Sequence, residues 1–272
     1  EVLAAHRSSL MPQPPKPLCP SPTADRPSAS LVAGCTSAAG YPNVLSCERP
    51  GGGALARVLV SVIDSGRRSD NLRLLEQSLG VPLLRFPASK LRWGEARRRC
   101  DAIKRPSDYL VNLAHAHLLK HARHCFFERG IATAVLAFED DARFAVANGG
   151  AALGAALNEA PDTADFVHLG WCSAPKHPEC LHAYVLTRSA VDIALNRTAP
   201  CVRRPMDQQL SALALGGVLS RHFPRKELYS AAPTHWTRGL FHQASETYKT
   251  LQSCDPSPAR ALRMGVPPCR AP

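Results

Sequence analysis

The apolar run Ile131 to Phe138 breaks off into three consecutive carboxylates, Glu139, Asp140 and Asp141. A helical pattern precedes it, Leu110 to Arg129, with Leu113, Ala114, Leu118, Ala122 and Cys125 on or near one face and Gly130 to stop it. A helix stopped by Gly and followed at once by a short apolar run predicts a buried strand of an α/β protein. Ligands of open α/β sheets bind outside the carboxyl ends of the strands, which is where this triplet falls. Neighbouring carboxylates repel, at a cost in free energy unless a cation joins them. Such a place suits a hard divalent ion, Mg²⁺ or Mn²⁺, shared with substrate phosphates. A solvated acidic turn is the plainer alternative, and the triplet by itself does not decide between them.

The same alternation of element types runs along the chain. Val58 to Ile63 is a β-branched strand. Asp70 follows as a helix cap ahead of Leu72, Leu75 and Leu79, and Val81 to Phe86 is a second strand. Residues 149–159 are Ala-rich and helical, stopped by Pro161. Asp165 to Leu169 and His182 to Thr187 are further strands, Ser189 caps a helix running towards Asn196, and Met206 to Leu215 is the last clear helix. Strands alternating with helices predict an α/β sandwich with a mostly parallel central sheet. Residues 1–54 are rich in Pro, Ser, Ala and Gly without periodicity and read as a flexible stem or linker. The ordered domain then spans 55–250, and 251–272 is an irregular tail containing Cys and Pro.

The net charge of +11 is uneven, with basic residues about twice as frequent as acidic ones between Arg57 and Glu128. A basic surface suits nucleic acid, anionic membranes or phosphorylated ligands, and a solubilising Arg-rich surface is the plainer reading. No zinc-finger, RNA-recognition or helix-turn-helix signature accompanies it, so nucleic acid is not the expected partner. No run approaches the ~20 apolar residues of a membrane helix. The chain begins at Glu1 rather than Met, so its N-terminus does not speak for the cytosol. Ten cysteines are scattered without a Cys-x-x-Cys pair, compatible with disulfides in a secretory lumen. Cys172 and Cys180 flank a Pro-containing loop and are the expected local bridge, whereas Cys125, inside the helix pattern, reads as a buried thiol. Asn196-Arg197-Thr198 is a glycosylation sequon.

No Gly-x-Ser-x-Gly elbow, Walker A loop or Gly-x-Gly-x-x-Gly fingerprint is present. His117, His121 and His124 share a helical stripe, but without a His-Glu-x-x-His pattern they read as packed or surface residues. What remains is the acidic triplet, a second acidic point at Pro205-Met206-Asp207, and a polar, aromatic segment at Pro233-Thr234-His235-Trp236. Asp207 reads either as a general base or as a helix cap before Gln208.

In their order these pieces resemble glycosyltransferase family 25, the bacterial lipooligosaccharide galactosyltransferases and animal procollagen galactosyltransferases. Val60-Ser-Val-Ile-Asp64 with Arg67-Arg68-Ser-Asp70 resembles the family's opening strand and Arg-rich follow-on. Leu113-Ala-His115 resembles its Leu-Ser-His, with Ala114 in place of the usual Ser. Val135-Leu-Ala-Phe-Glu-Asp-Asp-Ala-Arg-Phe144 resembles its acidic hallmark, and Asp165-Phe-Val-His-Leu-Gly170 the strand after it. Ala183-Tyr-Val-Leu-Thr-Arg188, Pro205-Met-Asp207 and Pro233-Thr-His-Trp-Thr237 resemble three later segments. The resemblance implies a GT-A fold and inverting transfer of a hexose, galactose foremost, from a UDP-sugar to a protein or glycan hydroxyl. It implies Mn²⁺ or Mg²⁺ on Asp140 and Asp141, with Asp207 or Glu139 in a catalytic role. Asp64, Arg67, Arg68, His115 and His235 are the implied donor and diphosphate contacts. It places the protein in the lumen of the Golgi or ER if the source is eukaryotic, and in the cytoplasm otherwise. A non-catalytic relative that keeps the fold as a binding or adhesion module is the alternative.

Overall fold

The computed structural model describes residues 19–23, 30–49, 52–88, 106–172, 179–198, 204–225 and 237–243. His235 and the 251–272 tail lie outside the described residues, as do the side chains of the expected Cys172–Cys180 pair. A single mixed sheet organises the rest. Its strands are β1 (Cys35–Ala38), β2 (Tyr41–Cys47), β3 (Arg57–Asp64), β4 (Leu84–Pro87), β5 (Ala134–Glu139), β7 (Phe166–Cys172), β8 (Glu179–Thr187), β9 (Arg221–His222) and β10 (Thr237–Gly239). The spatial order is β1-β2-β3-β5-β8-β7-β10, with β4 beside β3 and β9 beside β7. A separate two-stranded ribbon pairs β6 (Ala142–Phe144) with β11 (Phe241–Gln243).

The expectation of a mostly parallel sheet needs correcting. β3/β4, β3/β5 and β7/β9 are parallel, but β1/β2, β2/β3, β5/β8, β7/β8 and β7/β10 are antiparallel. Only residues 173–178 separate β7 from β8, too few for the crossover of a dozen or more residues that parallel neighbours need. β8 therefore returns antiparallel and is inserted between β7 and β5.

Helices cover both faces, which is why β5 is apolar from Ala134 to Phe138. Leu136 and Phe138 face α1 (Ser69–Leu79) and α3 (Gly149–Glu159) in one core with Leu72, Leu75, Leu153 and Leu157. Val135 and Ala137 face the second core. There they meet α2 (Pro106–Ala122) with its π-helical extension Arg123–Phe127, α4 (Arg188–Arg197) and α5 (Met206–Leu215). Gly130, at φ +66°, ends the extension as expected. The caps differ from expectation. Arg68 occupies the N-cap of α1 and Asp70 lies in its first turn. Thr187, not Ser189, caps α4 and accepts the Ala190 N–H at 3.3 Å. Asn196 of the sequon is exposed at the end of α4. Among the described residues no helix is long and apolar enough to cross a membrane.

The reading of 1–54 as a stem fails for the described part of that segment. β1 and β2 form a hairpin that pairs with β3, with Val44 and Leu45 fully buried. Disulfides join Cys35 to Cys47 and Cys19 to Cys125, so Cys125 is not a thiol. The Arg49 side chain, 7% exposed, donates to the Leu157 and Ala160 carbonyls at the end of α3 (2.5 and 2.7 Å) and pairs with Asp162 at 2.9 Å. Gly150 and Gly154 open one face of α3 to this segment. A Cβ on Gly154 would collide with the Ala33 carbonyl oxygen and lie 2.7 Å from its nitrogen.

Candidate metal centre

β3 and β5 run parallel and end together, Ile63 opposite Glu139. On the other side of β5 the last antiparallel rung pairs Phe138 with Ala183, so the next step sets His182 beside Glu139. The chain then turns through Asp140 and Asp141 into β6. Buried Asn71 of α1 clamps this turn: its Nδ2 donates to the carbonyls of Asp140 (2.7 Å) and Ala142 (3.0 Å), and its Oδ1 accepts from Arg143 Nε at 2.6 Å.

The three carboxylates diverge in role. Asp140 Oδ2 accepts the Ser65 N–H at 3.0 Å and a short bond from the Ser65 hydroxyl, while Oδ1 lies 3.8 Å from Arg68 Nε. Asp140 therefore braces the loop after β3. Asp141, 6% exposed, has Oδ2 3.5 Å from Arg68 Nη1. Glu139 lies between two buried histidines, its Oε1 3.6 Å from His115 Nε2 and its Oε2 3.7 Å from His182 Nδ1. Burial alone would raise the Glu139 carboxyl, but the two imidazoles outweigh it and hold the group well below the ordinary carboxylate range.

Behind His115 stands Tyr184, whose hydroxyl is 2.8 Å from His115 Nδ1. Burial first, and then the nearby Glu139 charge, push the phenol up. Tyr184 and His115 share a hydrogen bond whose direction follows the His115 tautomer, and the other ring nitrogen, Nε2, faces Glu139 at 3.6 Å. Tyr184 thus holds the ring that lies against the Glu139 carboxylate.

Glu139, Asp141 and His182 each present a donor atom within 4.8 Å of the others and could hold a metal ion. Two carboxylate oxygens and one imidazole nitrogen fit a divalent cation and leave coordination positions for water or substrate oxygens. Of the expected ligand pair, Asp141 belongs to this cluster and Asp140 does not. Asp140 is occupied by Ser65 and Arg68.

The other expected residues fall into place unevenly. Asp64 ends β3 and accepts the Gly66 N–H at 2.7 Å, shaping the loop that carries exposed Arg67 and half-buried Arg68 to the acidic turn. His115, 1% exposed, is enclosed between Tyr184 and Glu139. Asp207 is half-buried in the first turn of α5, its Oδ1 accepting the Gln208 N–H at 2.8 Å, while Pro205 takes the cap position. The start of α5 is tied to α2 through the Arg204 carbonyl, which accepts from Asn112 and Gln209 (3.1 and 2.9 Å). Asn112 is one helical turn from His115, so Asp207 belongs to the face of the sheet that holds Glu139. Along the helical histidine stripe, His121 packs on Phe86 and Phe126, and His124 pairs with Glu128 at 3.0 Å.

His182, Tyr184, Asn71 and Ser65 were not among the expected site residues. His182 and Tyr184 had a signal, two polar side chains spaced by two within the otherwise apolar stretch Leu181 to Leu186 and hence on one face. Asn71 and Ser65 had none beyond their nearness to the Arg pair. No protein-family model matches the chain, and no curated protein matches it.

Proposed function

We propose that this protein is a metal-assisted glycosyltransferase with a GT-A-like fold, moving a hexose, galactose foremost, from a UDP-sugar to a protein or glycan hydroxyl with inversion. One observation carries the reading. Glu139, Asp141 and His182 converge at the carboxyl ends of parallel β3 and β5, beside Arg68. The family resemblance of the sequence motifs supports it. The imidazole in the donor set favours Mn²⁺ over Mg²⁺. When bound, the ion supplies Lewis-acid stabilisation of the departing diphosphate. The protein's own part is to hold that charge and orient the sugar. Arg67 and Arg68 present guanidinium groups to the phosphates. Tyr184 and His115 fix Glu139, whose depressed carboxyl makes it a ligand and a poor base near neutral pH. Asp207 is then the residue to take the acceptor hydroxyl proton. Two disulfides and the exposed sequon at Asn196 support the lumen of the secretory pathway.

The test is calorimetric titration of UDP-galactose into the wild type and Asp141→Asn, each with Mn²⁺. The amide keeps the shape and loses the charge that pairs with the ion. The expected outcome is donor binding in the wild type and none resolved in the variant. Equal affinities would overturn the metal assignment. A wild type that binds donor and Mn²⁺ but transfers sugar to neither water nor any acceptor favours the binding or adhesion module.

A further inference from the structure

The acidic turn already carries a cation of its own. The Arg68 guanidinium lies 3.5 Å from Asp141 Oδ2 and 3.8 Å from Asp140 Oδ1, within ion-pair reach of both and hydrogen-bonded to neither. About a third of its side chain (32%) is exposed, whereas the Asp141 side chain is 8% exposed. The Arg68 backbone is fixed, its carbonyl accepting the Leu72 N–H at 3.1 Å at the start of α1. Its side chain, by contrast, is held at the turn by charge. Asp140 keeps its two bonds from Ser65 if the guanidinium leaves, so the turn does not depend on Arg68 for its shape. A buried Asp141 charge does depend on some cation nearby.

We propose that Arg68 is the exchangeable counter-ion of the metal centre. It pairs with Asp140 and Asp141 while no divalent ion is bound, gives up Asp141 when one binds, and then pairs with the diphosphate of the donor. This rests on the metal-dependent reading above and adds a regulation to it. In the free protein the divalent ion competes with Arg68 for Asp141. A nucleoside diphosphate that draws the guanidinium away removes the competitor and tightens the ion. By linkage the ion tightens the diphosphate by the same factor. A guanidinium suits both stations because its planar donors match carboxylate and phosphate oxygens equally well. Premature loading with metal alone is thereby disfavoured, and the ion and the donor enter together.

The experiment measures free Mn²⁺ by electron paramagnetic resonance, with and without UDP, in the wild type, Arg68→Gln, Arg68→Lys and Arg73→Gln. Arg73 is exposed on the same helix, 4.0 Å from Asp70, and controls for net charge. Without UDP, Arg68→Gln is expected to bind Mn²⁺ about five-fold or more tightly than wild type. The factor by which UDP tightens Mn²⁺ should fall by a similar amount. Arg73→Gln should behave as wild type in both respects, and Arg68→Lys should lie between wild type and Arg68→Gln. Unchanged or weaker Mn²⁺ binding by Arg68→Gln overturns the proposal, and so does an undiminished UDP effect. Circular dichroism checks the fold; if Arg68→Gln is unfolded, Arg68→Lys decides, and Mn²⁺ binding no tighter than wild type overturns the proposal. If Mn²⁺ binds the wild type and Asp141→Asn alike, or neither, the metal centre itself falls and Arg68 with it. Mn²⁺ binding lost only in Asp141→Asn leaves the centre standing whatever Arg68 does.

Discussion

The N-terminal hairpin and the acidic turn are held by different physics. The hairpin and the segment leading into it are fixed by shape and covalent bonds: Cys35–Cys47, Cys19–Cys125, and a backbone that approaches α3 where only glycine leaves room. A cross-link closing a loop of about 100 residues stabilises by roughly 4–5 kcal/mol in the chain-entropy picture. The acidic turn is fixed by polar pairs: Asn71 on two carbonyls, Ser65 on Asp140, and Tyr184 through His115 on Glu139. The first region should respond to volume and the second to the loss of single polar atoms.

The largest expected effect is on the hairpin side. Gly154→Val drives side-chain atoms into the Ala33 backbone and should cost about 3 kcal/mol of stability, read from the denaturant midpoint. The donor set on the other face of the sheet should keep its metal affinity in the folded fraction. A loss under about 1 kcal/mol would mean that the Leu31–Ala33 segment yields, and the contrast between the regions would weaken.

A buried polar group outside both regions sharpens the comparison. His168 of β7 is fully buried, with neither ring nitrogen hydrogen-bonded among the described residues, and it stacks on Phe223 at 4.5 Å. Burial, and then Arg221, push its imidazole down to about 3. The unfolded chain takes up this proton near pH 6.5, so stability falls as pH drops from there towards 3, and above pH 6.5 there is no penalty. The slope is about 1.4 kcal/mol per pH unit for one such group. His168→Phe should therefore recover about 2 kcal/mol at pH 5 relative to its effect at pH 8, measured by denaturation at both values. Parallel pH profiles for variant and wild type would count against a neutral His168.

On the site side the smallest edit should separate stability from binding. Tyr184→Phe removes one hydroxyl and its bond to His115 and should cost about 1 kcal/mol of stability. Its Mn²⁺ affinity should fall about ten-fold, because the histidine that positions Glu139 loses its orientation. If stability and affinity fell together in proportion, the relay would be a packing contact only.

Local patterns were legible in the sequence and distant pairings were not. The strand before Glu139 and the helix Met206–Leu215 follow directly from apolar runs and their stop signals. The carboxylate triplet led to the strand end where Glu139, Asp141 and His182 lie together, but not to which two of the three lie with the histidine. That choice depends on β8 lying beside β5, a long-range pairing that no local pattern marks. Cys-Thr-Ser-Ala and Tyr-Pro-Asn-Val-Leu-Ser-Cys have no apolar alternation to mark them as strands. Their order comes from β3, Arg49 and the disulfides. The cysteines at either end of that hairpin were the available clue.

The place of β8 also sets a timetable for synthesis. Glu139, Asp140 and Asp141 leave the ribosome about 40 residues before His182 and Tyr184, an interval on the order of 2 to 8 seconds at ordinary elongation rates. Through that interval the nascent chain carries three adjacent negative charges without the imidazole donor or the Tyr184 anchor. Arg68, already made, is the cation at hand. The cluster that could hold a metal ion is completed late, by the strand that closes the middle of the sheet, so its three donor atoms come together only once the sheet has been assembled in the right order.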